Sequence, residues 1–379
     1  MDEARLAEYQ NIADELGMGK AEVGAIPKQH PNFGQVILMP LHEVQGGHYA
    51  YIFYNAFMQR EEGGKLKSGD EVFEASSGTA GYAFTRLALA LGFKPTIIMP
   101  EGFPEQRKKP IRDVGGTLIE VSGNDIASVM NYMPIYAESH PNSWTPDHSR
   151  KPGLIRDSLR PLAEEIIAQV ESLDYVVMAI GNGASIAGIA PPLKEVFPGV
   201  KIIGEEPLAS GRVYEKMYPG KYKELFGIEP GSFEHQQYGT GSTADAQFPF
   251  LDMIVRRKVL DDVHLTMHPE EMHDFKLAVQ DTSKGGLLRL EPMDGDNGPF
   301  GDMKALMNKG VSFYEGHQAD LYRRNLSVGN SSAACYAVAD LIAGRLENSD
   351  KTILFFTYDS WDRYPVNSFR QMANLMMES

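Results

Sequence analysis

Two short runs of small and hydroxyl-bearing residues stand where they can hold anions. The first is Gly181-Asn182-Gly183-Ala184-Ser185, set between the apolar run YVVMAI (175–180) and the helical pattern IAGIAPPLKEVF. Small residues let a backbone close around an anion, while loop amides and a helix N-terminus point positive charge at it, which is how a phosphate group is cradled. The run has neither the Gly-Lys-Ser/Thr ending of a Walker loop nor the form and placement of a G-x-G-x-x-G fingerprint. A tight strand-to-helix turn is its alternative reading. The second run, Ser76-Ser77-Gly78-Thr79-Ala80-Gly81, follows DEVFEA and opens YAFTRLALALG. Its hydroxyls and amides suit a carboxylate, the second anion that an amino-acid substrate presents, with a plain N-cap as the rival reading.

Both loops need strands and helices to place them. Apolar, β-branched runs recur at 36–42, 70–76, 95–100, 117–122, 175–180, 200–207 and 352–358, several without polar alternation, as in strands buried on both faces. Helix-length segments lie between them at 81–92, 158–172 and 186–197. This alternation predicts βαβ units and a mostly parallel sheet. At 379 residues the chain exceeds the usual single core, so two lobes are expected. The segment Lys284–Arg324, rich in Gly, Asp and Met, breaks the alternation and is expected to be an insertion or lid.

Composition narrows the partners. No apolar run approaches the roughly 18 residues of a membrane helix, and a net charge of −15 argues against a nucleic-acid partner. The N-terminal MDEARLAEYQNIADELGMG is acidic and amphipathic, unlike a signal peptide. The one cysteine, Cys335, excludes an intramolecular disulfide and fits a reducing, cytoplasmic setting. No metal site is expected. DGDNG (294–298) resembles the start of a calcium loop but has Ala305 where the closing glutamate belongs, and His264, His268 and His273 are loosely spaced for zinc.

The stretch from Gly64 to Val121 resembles, in pattern, the cysteine synthase/cystathionine β-synthase family, of the tryptophan synthase β type (fold type II). There a Thr-Ser-Gly-Asn-Thr-Gly loop binds the substrate carboxylate and a Met-Pro-Glu segment precedes a basic helix; here Ser76–Gly81 and Met99-Pro100-Glu101 stand in those places. Gly181–Ser185 is similar to the family's phosphate loop, and VKIIGEEP (200–207) to its next strand. Gly329-Asn330-Ser331-Ser332-Ala333-Ala334 resembles the motif whose serine faces the pyridine nitrogen, with Ser332 as first choice and Ser331 as alternate. YDSWDRYPVNSF (358–369) is similar to the family's C-terminal signature.

The resemblance implies an α/β fold of two lobes, each with a twisted, mostly parallel sheet flanked by helices. Residues 1–51 and 156–379 would form the larger, cofactor-binding lobe, and 52–155 the smaller, substrate-binding one. It implies pyridoxal 5'-phosphate, an amino-acid substrate and a homodimer. A serine at the pyridine nitrogen makes the ring a weaker electron sink, which favours α,β-elimination and replacement through an aminoacrylate, and the expected activity is β-replacement on an O-activated serine or related amino acid. The alternatives are α,β-elimination, as in a dehydratase or desulfhydrase, and an inactive ligand-binding relative.

Departures from the family pattern bear on the site. Thr79 replaces the asparagine of the carboxylate loop, and His148 lies near where the family has a glutamine, as a candidate carboxylate contact or a solvated loop residue. The family's Schiff-base lysine, in Gly-Ser-x-Lys, maps onto Gly47-His48-Tyr49-Ala50, and no lysine occurs between Lys28 and Lys65. A lysine-free relative and a Lys→Ala replacement are the two explanations; the persistence of the other cofactor elements favours replacement, with an inactivated enzyme as the result. Tyr49 and Tyr51 are residual candidates for proton transfer.

Overall fold

The computed structural model describes residues 1–123, 126–237, 239–241, 248–281 and 299–360. Among the described residues, ten strands form two sheets. They are β1 (Gly24–Ala25), β2 (Gln35–Pro40), β3 (Glu71–Ala75), β4 (Lys94–Pro100), β5 (Thr117–Val121), β6 (Tyr175–Ala179), β7 (Lys201–Pro207), β8 (Asp262–Met267), β9 (Val311–Phe313) and β10 (Thr352–Thr357). The larger sheet runs β1-β2-β10-β6-β7-β8-β9 and the smaller β3-β4-β5. Every pairing is parallel except β1 with β2. This is the expected α/β architecture of fold type II. All three strands of the smaller sheet fall within 52–155.

The continuous apolar runs are explained by burial on both sheet faces. Ile37, Met39, Val176, Met178, Ile202 and Leu354 pack with the helices His48–Glu62, Pro152–Gln169 and Ala184–Val196, whereas Val36, Leu38, Val177, Ile203 and Ile353 pack with the helix Asn330–Ala343. Successive strand residues point to opposite faces, so strands covered on both faces, such as β2, β6 and β10, are apolar at nearly every position. Gly188 lets two of those helices approach: a Cβ there would lie 2.8 Å from the Leu159 side chain and 3.0 Å from the Ile155 carbonyl.

Part of the expected insertion is regular. Residues 299–323 form the helix Pro299–Asn308, the edge strand β9 and the helix Glu315–Arg323, and β9 pairs with β8. The alternation therefore continues over 299–323, where the sequence was expected to break it. A three-residue strand is too short to show a period, and the turn before it uses Gly310 at a φ of +89°. The candidate calcium loop at 294–298 and the signature residues 361–369 lie outside the described residues.

One buried acid sets a pH dependence. Glu205 on β7 is fully buried, with one oxygen hydrogen-bonded by Thr266 and the other, Oε2, without a partner. Burial, reinforced by the Glu206 and Glu271 carboxylates, pushes it up to about 8. The folded state thus favours the protonated acid. Its contribution to stability is fully present below the ordinary value near 4.5 and is lost as pH rises through about 8. Glu205→Gln should therefore raise the Tm increasingly from pH 5 to pH 9, with a gain of up to a few kcal/mol at the alkaline end. Equal Tm differences at the two pH values would refute the assignment.

Candidate active site

The chain leaves β6 at Ala179 and turns through Gly181–Gly183 into the helix Ala184–Val196. Gly183 adopts a φ of +82°, and a Cβ on Gly181 would lie 2.6 Å from the Gly239 carbonyl oxygen, so both positions demand glycine. Asn182 fastens the turn: its Oδ1 accepts from the Ala184 amide (2.9 Å) and its Nδ2 donates to Ser149 Oγ (3.0 Å). The segment 239–241 is tied alongside by the Gly241 amide, which donates to the Ile180 carbonyl at 2.7 Å.

The second loop leaves β3 at Ala75 and opens the helix Thr79–Ala90. Ser76 shapes it, its Oγ accepting from the amides of Gly78 (2.9 Å) and Gly81 (2.6 Å). Arg107 donates to the Ser77 carbonyl (3.0 Å), and Thr79 Oγ1 donates to Asp359 Oδ2 (2.5 Å). Gly78, at a φ of +145°, leaves room for the Arg107 side chain, whose Nη1 would lie 3.0 Å from a Cβ.

The two loops face each other across one cleft with two connected chambers. The inner, about 60 Å³, is lined by residues 46–49, Ser77, Thr79, Ala80, Arg107, Gly181, Asn182, Ser185, Ser331, Tyr358 and Asp359 among others. The outer, about 580 Å³, shares Tyr49, Ser77, Ala80, Gly181 and Asn182 and adds Ser76, His148, Ser149, Phe103, Arg212 and Phe233. The arrangement lines the cleft with the expected site residues Ser76, Ser77, Thr79, Ala80, His148, Gly181, Asn182, Ser185 and Ser331, while Gly78, Gly183 and Ala184 lie within the same two loops without lining either chamber.

Two expected residues sit otherwise. Ser332, the first choice for the pyridine nitrogen, is fully buried and accepts from the Tyr358 amide at 2.9 Å; Ser331, the alternate, is the serine that lines the inner chamber. Ala50 is fully buried in the apolar core and is absent from both linings, whereas His48 and Tyr49 enter the cleft. Burial, with His148 nearby, lowers His48 to about 3. Burial and Asp359 push Tyr49 up to about 12, against the effect of Arg107. His48 is thus uncharged and Tyr49 protonated at neutral pH.

Arg107, Asp359 and Tyr358 were not singled out from sequence as site residues. The basic run after Met99-Pro100-Glu101 and the signature at 358–360 were the available signals. Tyr358 braces the inner chamber, its hydroxyl accepting from the Ala179 amide at 3.0 Å. Among the described residues no group of ligating side chains forms a metal site.

The donor set fits a phosphate ester: two glycine-dependent loops pressed together, a helix N-terminus of 13 residues behind them, and the Ser185 and Thr240 side chains at the wall. It offers no amine for covalent attachment, since no lysine lines either chamber among the described residues.

Comparison with known proteins agrees with this geometry. A family described as "Pyridoxal-phosphate dependent enzyme" matches residues 41–260. A cysteine synthase of a Flavobacterium species is 28% identical over 60% of this chain and 67% of its own length; a probable cysteine synthase of Bacillus subtilis is 28% identical over 47% of this chain and 58% of its own. The solved O-acetylserine-dependent cystathionine β-synthase of Helicobacter pylori superposes with a TM-score of 0.69 at 22% identity, covering 93% of this chain and 96% of that one. A hydrogen sulfide-producing enzyme of Fusobacterium nucleatum gives a TM-score of 0.70 at 20% identity, covering 97% and 92%. The family match spans more than half the sequence and includes both anion loops, so this chain belongs to the pyridoxal-phosphate-dependent enzymes, with pyridoxal phosphate as its cofactor.

Proposed function

We propose that the chain performs β-replacement on an O-activated serine or a related amino acid. One observation carries this reading: two anion loops, at the C-terminal ends of β3 and β6, face each other across a single cleft. Ligands of open α/β sheets sit at such strand ends. Residues Gly181–Ser185 hold the phosphate, Ser331 faces the pyridine nitrogen, and Ser77, Thr79, Ala80 and the amides behind them hold the substrate carboxylate. Thr79 takes part by exchanging Asp359 for the substrate. Pyridoxal phosphate, when bound, supplies the electron sink that makes loss of a β-substituent feasible.

The outer chamber supports replacement over elimination. Elimination needs only water after the leaving group departs, while about 580 Å³ with Phe103, Phe233 and Arg212 at the wall suits an organic second substrate. The lone buried Cys335 supports a reducing, cytoplasmic setting, and the resemblance supports a homodimer.

The test is product analysis on the cofactor-loaded protein with O-acetylserine. Consumption should require an added thiol or amine and yield the substituted amino acid. Steady release of pyruvate and ammonia without a nucleophile would assign elimination instead. Failure to bind pyridoxal phosphate would leave a ligand-binding relative.

A further inference from the structure

One set of polar groups in the cleft has no task in this reading. Glu74, at the end of β3, is 1% exposed; its Oε2 lies 3.4 Å from His148 Nδ1 and accepts the His148 backbone amide at 3.2 Å. Nδ1 makes no hydrogen bond, and Glu74 stands beside it at ion-pair distance. Across the ring, His148 Nε2 lies 3.3 Å from Ser149 Oγ. Ser149 Oγ in turn accepts from Asn182 Nδ2 at 3.0 Å, in the phosphate loop. An amide nitrogen only donates, so the serine hydrogen is free to point at Nε2, and the Glu74 carboxylate beside Nδ1, which only accepts, is the neighbour that favours the imidazole proton on Nδ1. His148 and Ser149 both line the outer chamber beside the carboxylate loop. The ring is held edge-on by Tyr49 and Phe53 (centroids 5.5 and 5.3 Å).

We propose that Glu74, His148 and Ser149 form a proton relay serving the bound amino acid, in a site that has no amine to do so. Ser149 is the catalytic residue: its hydroxyl oxygen takes the α-proton as the C–H bond breaks, and its own proton passes to His148 Nε2. The electron pair stays with the substrate. Glu74 is a positioning residue that fixes the tautomer and balances the imidazolium. The titratable groups facing His148 are Glu74 from β3 and His48 and Tyr49 from the helix His48–Glu62; the latter two are uncharged at neutral pH.

This inference rests on the proposed amino-acid chemistry. Its test uses full-length protein loaded with pyridoxal phosphate, and L-alanine in deuterated water, which has no β-leaving group and reports α-proton exchange alone by NMR. Ser149→Ala and His148→Gln should each lower the exchange rate about 100-fold, the small end of what a positioned acid–base group contributes. Cofactor affinity, read by absorbance, should stay within about fivefold in His148→Gln, which keeps the Ser149 bond to Asn182, and this shows that the variant folds. In the cofactor-free protein, nitrogen NMR should show His148 as the Nδ1–H tautomer, and Glu74→Gln should shift it toward Nε2–H. Wild-type exchange rates in both cleft variants, or an Nε2–H tautomer in the unaltered chain, would overturn the relay. No exchange in an unaltered chain that binds the cofactor would overturn it as well. Failure of the unaltered chain to bind pyridoxal phosphate would overturn the reading beneath it, and the relay with it.

Discussion

A lysine introduced at position 50 is expected to capture pyridoxal phosphate in a borohydride-reducible linkage and to raise turnover by about 10²- to 10⁴-fold, the range for a positioned acid–base group. Gly47 and His48 occupy the places of the family's Gly-Ser, Tyr49 the variable place, and Ala50 the place of the lysine. Ala50 sits in the first helical turn, its amide donating to the Gly47 carbonyl at 3.1 Å. Its neighbours at 46–49 all line the inner chamber. A lysine stem can lie along apolar surface while its amine reaches toward the cleft, and burial lowers the amine's pKa toward the neutral, nucleophilic form. The larger side chain in a packed position should cost about 1–3 kcal/mol of stability. Peptide mass after reduction locates the adduct. Because it is Tyr49 that enters the cleft, Tyr49→Lys is the discriminating control. An adduct there and none at 50 would move the register by one residue. No adduct at 50, with rapid turnover by the unaltered chain, would show that another residue runs the chemistry.

Gly181→Ala should weaken pyridoxal phosphate binding by at least about 100-fold, or roughly 2.7 kcal/mol. The added methyl would stand 2.6 Å from a backbone oxygen, that of Gly239, so relief requires moving backbone rather than a flexible side chain. The two segments pushed apart are the walls of the cradle, and amides aimed at an anion lose their worth when displaced. Gly153→Ala is the control, since a Cβ there meets nothing within 4 Å. Absorbance titration of the two variants reads the difference. Equal affinities would show that the phosphate lies elsewhere.

The sheet was legible because its central strands β2, β6 and β10 are apolar at nearly every position, a pattern few surface elements share. The anion loops were legible because glycine and small residues are needed where backbones approach, as at Gly181 and Gly183. Orientation was not legible. Ser331 and Ser332 are adjacent in sequence, and only the helix phase turns one to the cleft and the other to the Tyr358 amide. The same holds for Tyr49 and Ala50. The partnership of Glu74 with His148 joins residues 74 positions apart, and nothing in either local sequence marks it. In 299–323 the edge strand was missed because three residues carry no period.

The hydrogen bond from Thr79 to Asp359 joins the loop after β3 to the chain just after β10, and so ties the smaller sheet's side of the cleft to the larger one's. A neutral donor on a carboxylate is worth about 1.5–3 kcal/mol. On that contact alone the shut arrangement outweighs an open one by about ten- to a hundredfold. A carboxylate that arrives in its place would inherit the donor and repel Asp359, so its binding would loosen this latch. Entry would then be slow and exit assisted, and the latch would act as a kinetic gate selecting ligands that bring their own negative charge.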